Sequence, residues 1–248
     1  MGGAKVRVAK MEHEHTHEAI RQRLAAGPGQ SYLRDWVYGG IDGTVTTFAL
    51  VSGVEGARLA APVILILGGA SLIADGFAMA AANYLATRTE HDEFRYAEQV
   101  ERRHIESAPE GEREEVREIL RGLGIHGDLL ERVLAAITGD HDHWVRVMLQ
   151  YEYALPAAVR SAWRSAGSTF SAFLICGLVP LVPFLARARN PFWIAAVATS
   201  LVFVAIGALK ARWSIRPWWY SGFSTLAVGG AAAGVAYLIG AWLRGLGA

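Results

Sequence analysis

Residues 61–87 read APVILILGGASLIADGFAMAAANYLAT, and Asp75 is the only charged side chain among them. About 20 predominantly apolar residues are enough for an α-helix to cross the hydrocarbon core of a bilayer. The stretch is longer than that, and it is rich in the small residues that let transmembrane helices pack closely. It therefore predicts a membrane-spanning helix.

Four other segments are similarly poor in charge. Residues 37–57 contain only Asp42 and Glu55 as charged residues. Three later segments contain no charged residue: 168–185, 192–209 and 221–243. The lengths suit helices that cross a bilayer, although two of them are at the short end of the usual range. The pattern predicts an all-α integral membrane protein with five transmembrane helices.

The composition of the whole chain agrees with this class. Hydrophobic residues make up 52% of the 248 residues and charged residues 19%, whereas soluble domains carry about 25% charged residues. The net charge of +1 argues against a strongly basic nucleic-acid-binding protein. The single cysteine, Cys176, excludes an intrachain disulfide framework and a zinc ribbon built on cysteines.

The positions of basic residues predict the orientation in the membrane. The first 36 residues are polar, with no apolar core before a cleavage site, so we expect no signal peptide and a cytosolic N-terminus. Six basic residues lie there, and the predicted loop between spans four and five adds Lys210, Arg212 and Arg216. The predicted outer segments hold only Arg58, Arg187, Arg189 and Arg244. This excess of basic residues on one side places the N-terminus in the cytosol and the C-terminus outside. In a prokaryote the membrane would be the inner membrane.

The segment between spans two and three has a different character. Residues 88–166 contain 16 acidic residues, 11 basic residues and five of the eight histidines. We expect a cytosolic helical insert here, with helices at about 90–107, 109–122, 128–137 and 141–155. The chain then divides into four regions: a polar tail with a His and Glu tract (1–30), spans one and two (31–87), the insert (88–166), and spans three to five (167–248).

Two acids inside the predicted spans are candidate functional residues, because an acid at the centre of a membrane helix costs about 2.5–3.5 kcal/mol. Asp42 in span one and Met79 in span two lie at comparable depth. Asp75, Met79 and Asn83 share one face of span two. A carboxylate beside a thioether suits a borderline ion such as Fe²⁺ better than Mg²⁺ or Ca²⁺. The alternative is that Met79 only packs and Asp42 bonds to nearby backbone.

Acidic side chains also recur at helical spacing in the insert. They fall on three predicted helix faces, which carry Glu98, Glu101 and His104; Glu112, Glu115 and Glu118; and Met148 with Glu152. Such carboxylates repel one another unless cations lie between them. The alternative is a solvated acidic surface with arginine partners such as Arg102, Arg113 and Arg117. The tract from Glu12 to Glu18 alternates imidazoles and carboxylates, a composition that supports at most weak metal binding.

Two glycine pairs have the spacing that lets helix backbones approach: Gly39 with Gly43, and Gly230 with Gly234. The spacing is common by chance in a chain with 27 glycines. Spacing alone therefore leaves both contacts open.

Two stretches resemble the signature segments of the vacuolar iron transporter family, in its prokaryotic type. They are residues 35–48, DWVYGGIDGTVTTF, and residues 74–85, ADGFAMAAANYL. The resemblance covers nearly the whole chain from about residue 31. It implies five spans per subunit, a homodimer with the ion path at the subunit interface, and export of Fe²⁺ from the cytosol in exchange for protons.

The resemblance also implies roles for individual residues. Asp42 and Met79 would line the path, and Asp75 is a candidate proton carrier. Metal ligands on the insert would be Glu101, Glu112, Glu115, Met148 and Glu152. His104 stands where the family has a further glutamate, and Leu149 where it has a second methionine. A non-enzymatic transporter with no cofactor besides its metal cargo is expected, with lipid, protons and divalent ions as partners and no nucleic acid.

Two other functions are compatible with parts of the sequence. Glu101-x-x-His104 has the Glu-x-x-His spacing of ferritin-like di-iron sites, which suggests a membrane-tethered iron-binding or iron-oxidising protein. A metal sensor or storage protein is the third possibility, although it needs no acids inside the membrane. The sequence leaves Fe²⁺, Mn²⁺, Co²⁺ and Zn²⁺ open as cargo, together with the proton stoichiometry.

Overall fold

The structure is a computed structural model that describes residues 14–26, 31–156, 160–213 and 215–246. Helices and turns make up these residues, and no strand occurs among them. The chain forms two compact units, Met1–Ser31 and Tyr32–Ala248. The first unit contains helix α1, His17–Ala26.

The second unit contains the remaining helices. They are α2 (Leu33–Gly56), α3 (Ala61–Ser107), α4 (Pro109–Gly122), α5 (Gly127–Thr138), α6 (His141–Tyr151), α7 (Ala162–Leu178), α8 (Val182–Leu185), α9 (Pro191–Lys210) and α10 (Trp218–Gly245). Short 3₁₀ turns occupy Val179–Leu181 and Ala211–Trp213. The first of these turns joins α7 to α8, where Pro180 and Pro183 remove two backbone donors.

Four helical stretches of the described chain are long and apolar enough to cross a membrane: Ala61–Ser107, Ala162–Leu185, Pro191–Lys210 and Trp218–Gly245. They contain the stretches predicted as spans two to five. The helical stretch that contains the third predicted span begins at Ala162, inside the range that the sequence assigned to the insert. A membrane protein with an all-helical fold is thus supported by four of the predicted spans.

The first predicted span lies in α2, which is not among these four. The helix has 24 residues, so its composition and not its length sets it apart. It packs against α3, α7, α9 and α10, and about half of its residues are buried. A helix enclosed by other helices does not need an apolar surface towards lipid, which accounts for its polar content.

Glycines set how closely α2 approaches its neighbours. A Cβ on Gly39 would collide with the Thr169 carbonyl of α7, and one on Gly43 with the Phe173 carbonyl. The spacing left this contact open, and the structure shows that the pair makes it. Gly230 and Gly234 of α10 have nothing within 4 Å of a Cβ in the described part of the chain, so the second pair makes no such contact there.

Helix α3 continues without interruption from the apolar stretch into the acidic insert, over 47 residues. Its second half packs with α4, α5 and α6 around a small apolar core that includes Val116, Leu120 and Val145. Helix α4 has the bounds that Pro109 and Gly122 predict. Helix α6 ends at Tyr151 and not at Leu155, because the chain reaches a left-handed conformation (φ 53°) at Ala154.

Candidate functional site

Two acids meet between α2 and α3. Asp42 is half-buried on α2, whereas Asp75 is exposed on the surface of α3. The two carboxylates lie within electrostatic range of each other. The Ser71 hydroxyl, one turn before Asp75, donates a hydrogen bond to Asp75 Oδ2. The structure thus brings together the two acids that the sequence assigned to adjacent spans.

The neighbours of these acids on the same helix faces have other partners. Met79 is half-buried and packs against an apolar cluster that includes Phe48 and Phe173. Asn83 donates from Nδ2 to Thr169 Oγ1 of α7 at 2.7 Å. The Met79 side chain therefore packs in the apolar cluster, as the packing interpretation of the sequence predicted.

A second group of acids meets inside the insert. Glu101 of α3 is fully buried, and Glu112 of α4 is 5% exposed. Neither Glu101 oxygen receives a hydrogen bond from a donor in the described residues. The group within hydrogen-bond reach of Glu101 is the Glu112 carboxyl, an arrangement that requires a proton between the two oxygens. Met148 of α6 is also fully buried, in the same core.

More exposed side chains surround the buried pair. His104 Nδ1 lies 3.5 Å from Glu112 Oε1, and the His104 side chain is 52% exposed. Glu115 and Glu152 are exposed and add their negative charges to the field at Glu101. An open cleft of about 480 Å³ runs beside them, lined by Gly111, Glu114, Glu115, Glu118, Ile119 and Glu152. Side chains from α3, α4 and the end of α6 thus form one acidic cluster.

The acidic cluster shifts the protonation of its members. Burial, the Glu112 hydrogen bond and the charges of the other glutamates raise the pKa of Glu101 to about 8. Burial and the Glu112 charge also raise the pKa of Glu115, and burial with the Glu115 charge raises the pKa of Glu152. With a pKa of about 8, the Glu101 carboxyl group holds its proton near neutral pH. A divalent cation could replace that proton.

The side chains are near one another but do not form a ready-made metal cage. In the part of the chain that the structure describes, no group of three or more His, Cys, Asp or Glu side chains is arranged so that it could hold a metal ion. Metal binding by these residues would therefore require their side chains to rearrange. It remains a prediction.

The predicted arginine partners bind acids outside the buried pair. Arg102 pairs with Glu98 and Asp142, each at 2.9 Å. Arg117 pairs with Glu114 and Glu131, which links α4 to α5. A solvated acidic surface with arginine partners, the alternative to metal binding, thus describes the exposed acids of the insert. It does not account for Glu101, which has no arginine or lysine ion pair among the described side chains.

Sequence reasoning missed one ion pair near the membrane helices. Asp35, in the first turn of α2, is buried and pairs with Arg160, which comes 125 positions later. In the His and Glu tract of the tail, Glu12 and His13 lie outside the described residues. Residues 14–17 are exposed, and α1 begins at His17.

Comparison with known proteins places the chain among membrane transporters. Residues 33–241 match the VIT family. Vacuolar iron transporter 2 of Oryza sativa subsp. japonica is 28% identical over 208 residues, covering 83% of this chain and 85% of the relative. Vacuolar iron transporter 1 of Eucalyptus grandis is also 28% identical, with 83% and 84% covered. A vacuolar iron transporter of Plasmodium falciparum is 21% identical, with 84% and 80% covered.

All of these relatives are named as transporters, which are not enzymes. The family match covers most of the chain and includes both stretches that carried the resemblance, 35–48 and 74–85. The chain belongs to the VIT family and is not an enzyme.

Proposed function

We propose that this protein exports divalent iron from the cytosol across a membrane in exchange for protons. The observation that carries the proposal is the pair formed by Asp42 on α2 and Asp75 on α3, two acids within electrostatic range on helices that we assign to the membrane. Two carboxylates attract a divalent cation and repel each other without one. A proton on either acid competes with the metal for the same place, which supplies coupling.

The proposal includes α2 as a fifth span. At 1.5 Å per residue its 24 residues extend about 36 Å, more than the roughly 30 Å of a hydrocarbon core. It packs against all four apolar helices of the unit. The helices that flank α2 would shield Asp42 from lipid, which suits a helix that lines an ion path.

The exposure of Asp75 supports a homodimer. In a single chain this carboxylate is exposed on the surface of α3, in the apolar part of that helix. An acid facing lipid at this depth is costly. A second copy packed on α3 would cover the acid and place it, with Met79 and Asp42, at the subunit interface.

We assign metal collection to the acidic cluster of the insert. Its oxygen donors are Glu101, Glu112, Glu115 and Glu152, with the His104 nitrogen near Glu112 and the Met148 sulfur in the adjoining apolar core of the insert. This mixed set favours a borderline transition ion over Mg²⁺ or Ca²⁺. Iron is therefore the first cargo to test, with Mn²⁺, Co²⁺ and Zn²⁺ as competitors. The orientation follows the basic residues, with the N-terminus and the insert in the cytosol.

The test is metal flux into proteoliposomes that hold the purified protein, with Fe²⁺ supplied under an imposed pH gradient. We expect uptake by the unaltered protein to depend on the gradient, and Asp42→Asn to abolish it. Asp128→Asn, which removes an exposed acid at the start of α5, is the matched control and should leave flux unchanged. Flux that persists in Asp42→Asn, or that ignores the pH gradient, would refute the mechanism.

A further inference from the structure

We propose that Arg160 gates the cytosolic mouth of the ion path by occupying the place of the cation beside Asp35. The inference rests on the proposed function and extends it to a residue outside the path and the acidic cluster. Arg160 lies just before α7, where the chain returns from the insert to the membrane helices.

The Arg160 guanidinium bridges acids of two helices. Its Nη1 lies 3.2 Å from Asp35 Oδ1 and 3.3 Å from Asp35 Oδ2, on α2. Its Nη2 lies 3.9 Å from Glu90 Oε1, on α3. The Asp35 side chain is 8% exposed, whereas that of Glu90 is 53% exposed. One positive charge thus stands between a buried acid and a solvated one.

Hydrogen bonds hold the Arg160 carbonyl and the Ser161 amide, so the guanidinium can move without displacing these backbone groups. His91 Nε2 lies within hydrogen-bond distance, 2.6 Å, of the Arg160 carbonyl oxygen. The Ser161 amide donates to Tyr32 Oη at 3.1 Å, and the Ser168 hydroxyl donates to the Tyr32 carbonyl at 2.9 Å. These bonds tie the segment to α2 and α3. The Arg160 side chain keeps 30% of its surface exposed.

Polar groups continue inwards from this position. Asp35 and Asp42 are seven residues apart on α2, which puts them on the same helix face about 10 Å apart along the axis. On α3, Thr87 lies one turn before His91 and is fully buried. Its hydroxyl has no hydrogen-bond partner among the described residues. The inward step for a cation that leaves Asp35 is thus towards Asp42, the next acid on that face of α2.

The charges suggest how the gate works. A divalent cation at Asp35 attracts the carboxylate more strongly than the single charge of a guanidinium does. The displaced Arg160 side chain can stay with Glu90 at the surface. Burying either charge without a partner would cost several kcal/mol, and this exchange avoids that cost for both Asp35 and Arg160. Arg160 is thus a positioning residue that keeps the mouth closed to weakly bound ions.

The two sides of the ion pair give opposite predictions. Arg160→Gln leaves Asp35 free for the cation, so the Fe²⁺ concentration at half-maximal flux should fall by about tenfold in proteoliposomes. Asp35→Asn leaves a positive charge at the mouth, so the same constant should rise by about tenfold. A purely structural ion pair predicts the same shift for both variants, because each breaks the same contact.

Controls separate the possible failures. Arg164→Gln removes an exposed cation of α7 and should leave the half-saturation constant unchanged. Should Arg160→Gln fail to fold, Arg160→Lys keeps the charge with a weaker hold, and it should lower the constant in the same direction. Shifts of equal sign in the two variants, or an unchanged or raised constant in Arg160→Lys, would overturn the gate. Absence of Fe²⁺ flux in the unaltered protein would instead refute the proposed function.

Discussion

The carboxyl groups of Glu101 on α3 and Glu112 on α4 are within hydrogen-bond reach of each other inside the insert. Two ionised carboxylates cannot share such a position, so the pair holds a proton when no cation is present. Burial in the core around Val116 and Met148 strengthens this requirement. Because of this proton, the stability of the insert depends on pH.

We expect the stability of the metal-free protein to fall as pH rises from about 5 to 8. The pKa of Glu101 is about 8 in the folded protein, against an ordinary value of 4.5. In that window the unfolded chain has lost the proton and the folded protein has kept it, so higher pH favours unfolding. Tm measured in detergent with a chelator would report the slope. Glu101→Gln should flatten the slope of Tm against pH. Glu106→Gln, which removes an exposed acid from the same helix, should leave the slope unchanged. Equal slopes in the unaltered protein and Glu101→Gln would contradict the assignment.

Met148→Leu should separate metal binding from packing. The side chain is fully buried, and the two residues have similar volume, so the loss of stability should stay below about 1.5 kcal/mol. Loss of the thioether should still weaken Fe²⁺ binding, measured by anaerobic titration calorimetry of the full-length protein. Leu149→Met at the adjacent buried position is the matched change and should not weaken binding. Unaltered affinity in Met148→Leu would limit this residue to packing.

Gly43→Ala should destabilise the membrane helices. An added Cβ would meet the Phe173 backbone, which cannot move aside as a flexible side chain could. Overpacking of this kind usually costs about 1–3 kcal/mol. Gly230→Ala, where a Cβ meets open space, is the control. Thermal unfolding followed by loss of the monodisperse peak in size-exclusion chromatography measures both variants. Equal melting of the two would be evidence against the close contact between α2 and α7.

Asp75→Asn should uncouple metal movement from protons. The variant keeps the shape of the side chain and its bond with Ser71, but it cannot exchange a proton. Fe²⁺ uptake into proteoliposomes should continue at a reduced rate and should no longer respond to an imposed pH gradient. Retention of the full pH dependence would assign the proton to another group, with Asp42 as the next candidate.

The elements that the sequence predicted well are those whose ends or composition are marked by nearby residues. Pro109 and Gly122 bound α4 because the one suits the first turn of a helix and the other its end. The four segments with at most one charged residue predicted the four apolar helices, because hydropathy depends on composition alone. The acids of the insert were placed on three helix faces, since glutamates three and four residues apart lie together on a helix, but the spacing did not show that these faces meet.

Contacts between distant segments could not be predicted from one sequence. Nothing local in Asp35 or Arg160 indicates that they pair, since 125 positions separate them. The approach of Gly53 on α2 to Gly240 on α10 was likewise missed, because it follows no fixed spacing within one helix. Conversely, Gly230 and Gly234 have the spacing of a close contact, but α10 makes none there within the described chain.

The unbroken course of α3 sets the distance between the two groups of acids. Its 47 residues form a helix about 70 Å long that carries Asp75 and Met79 in its apolar half and Glu101 and His104 near its far end. Along the helix axis, Glu101 lies about 39 Å from Asp75. A cation held at Glu101 would therefore have to leave the insert before it could reach the two acids. In the proposed mechanism, the insert and the acid pair bind metal one after the other and not together.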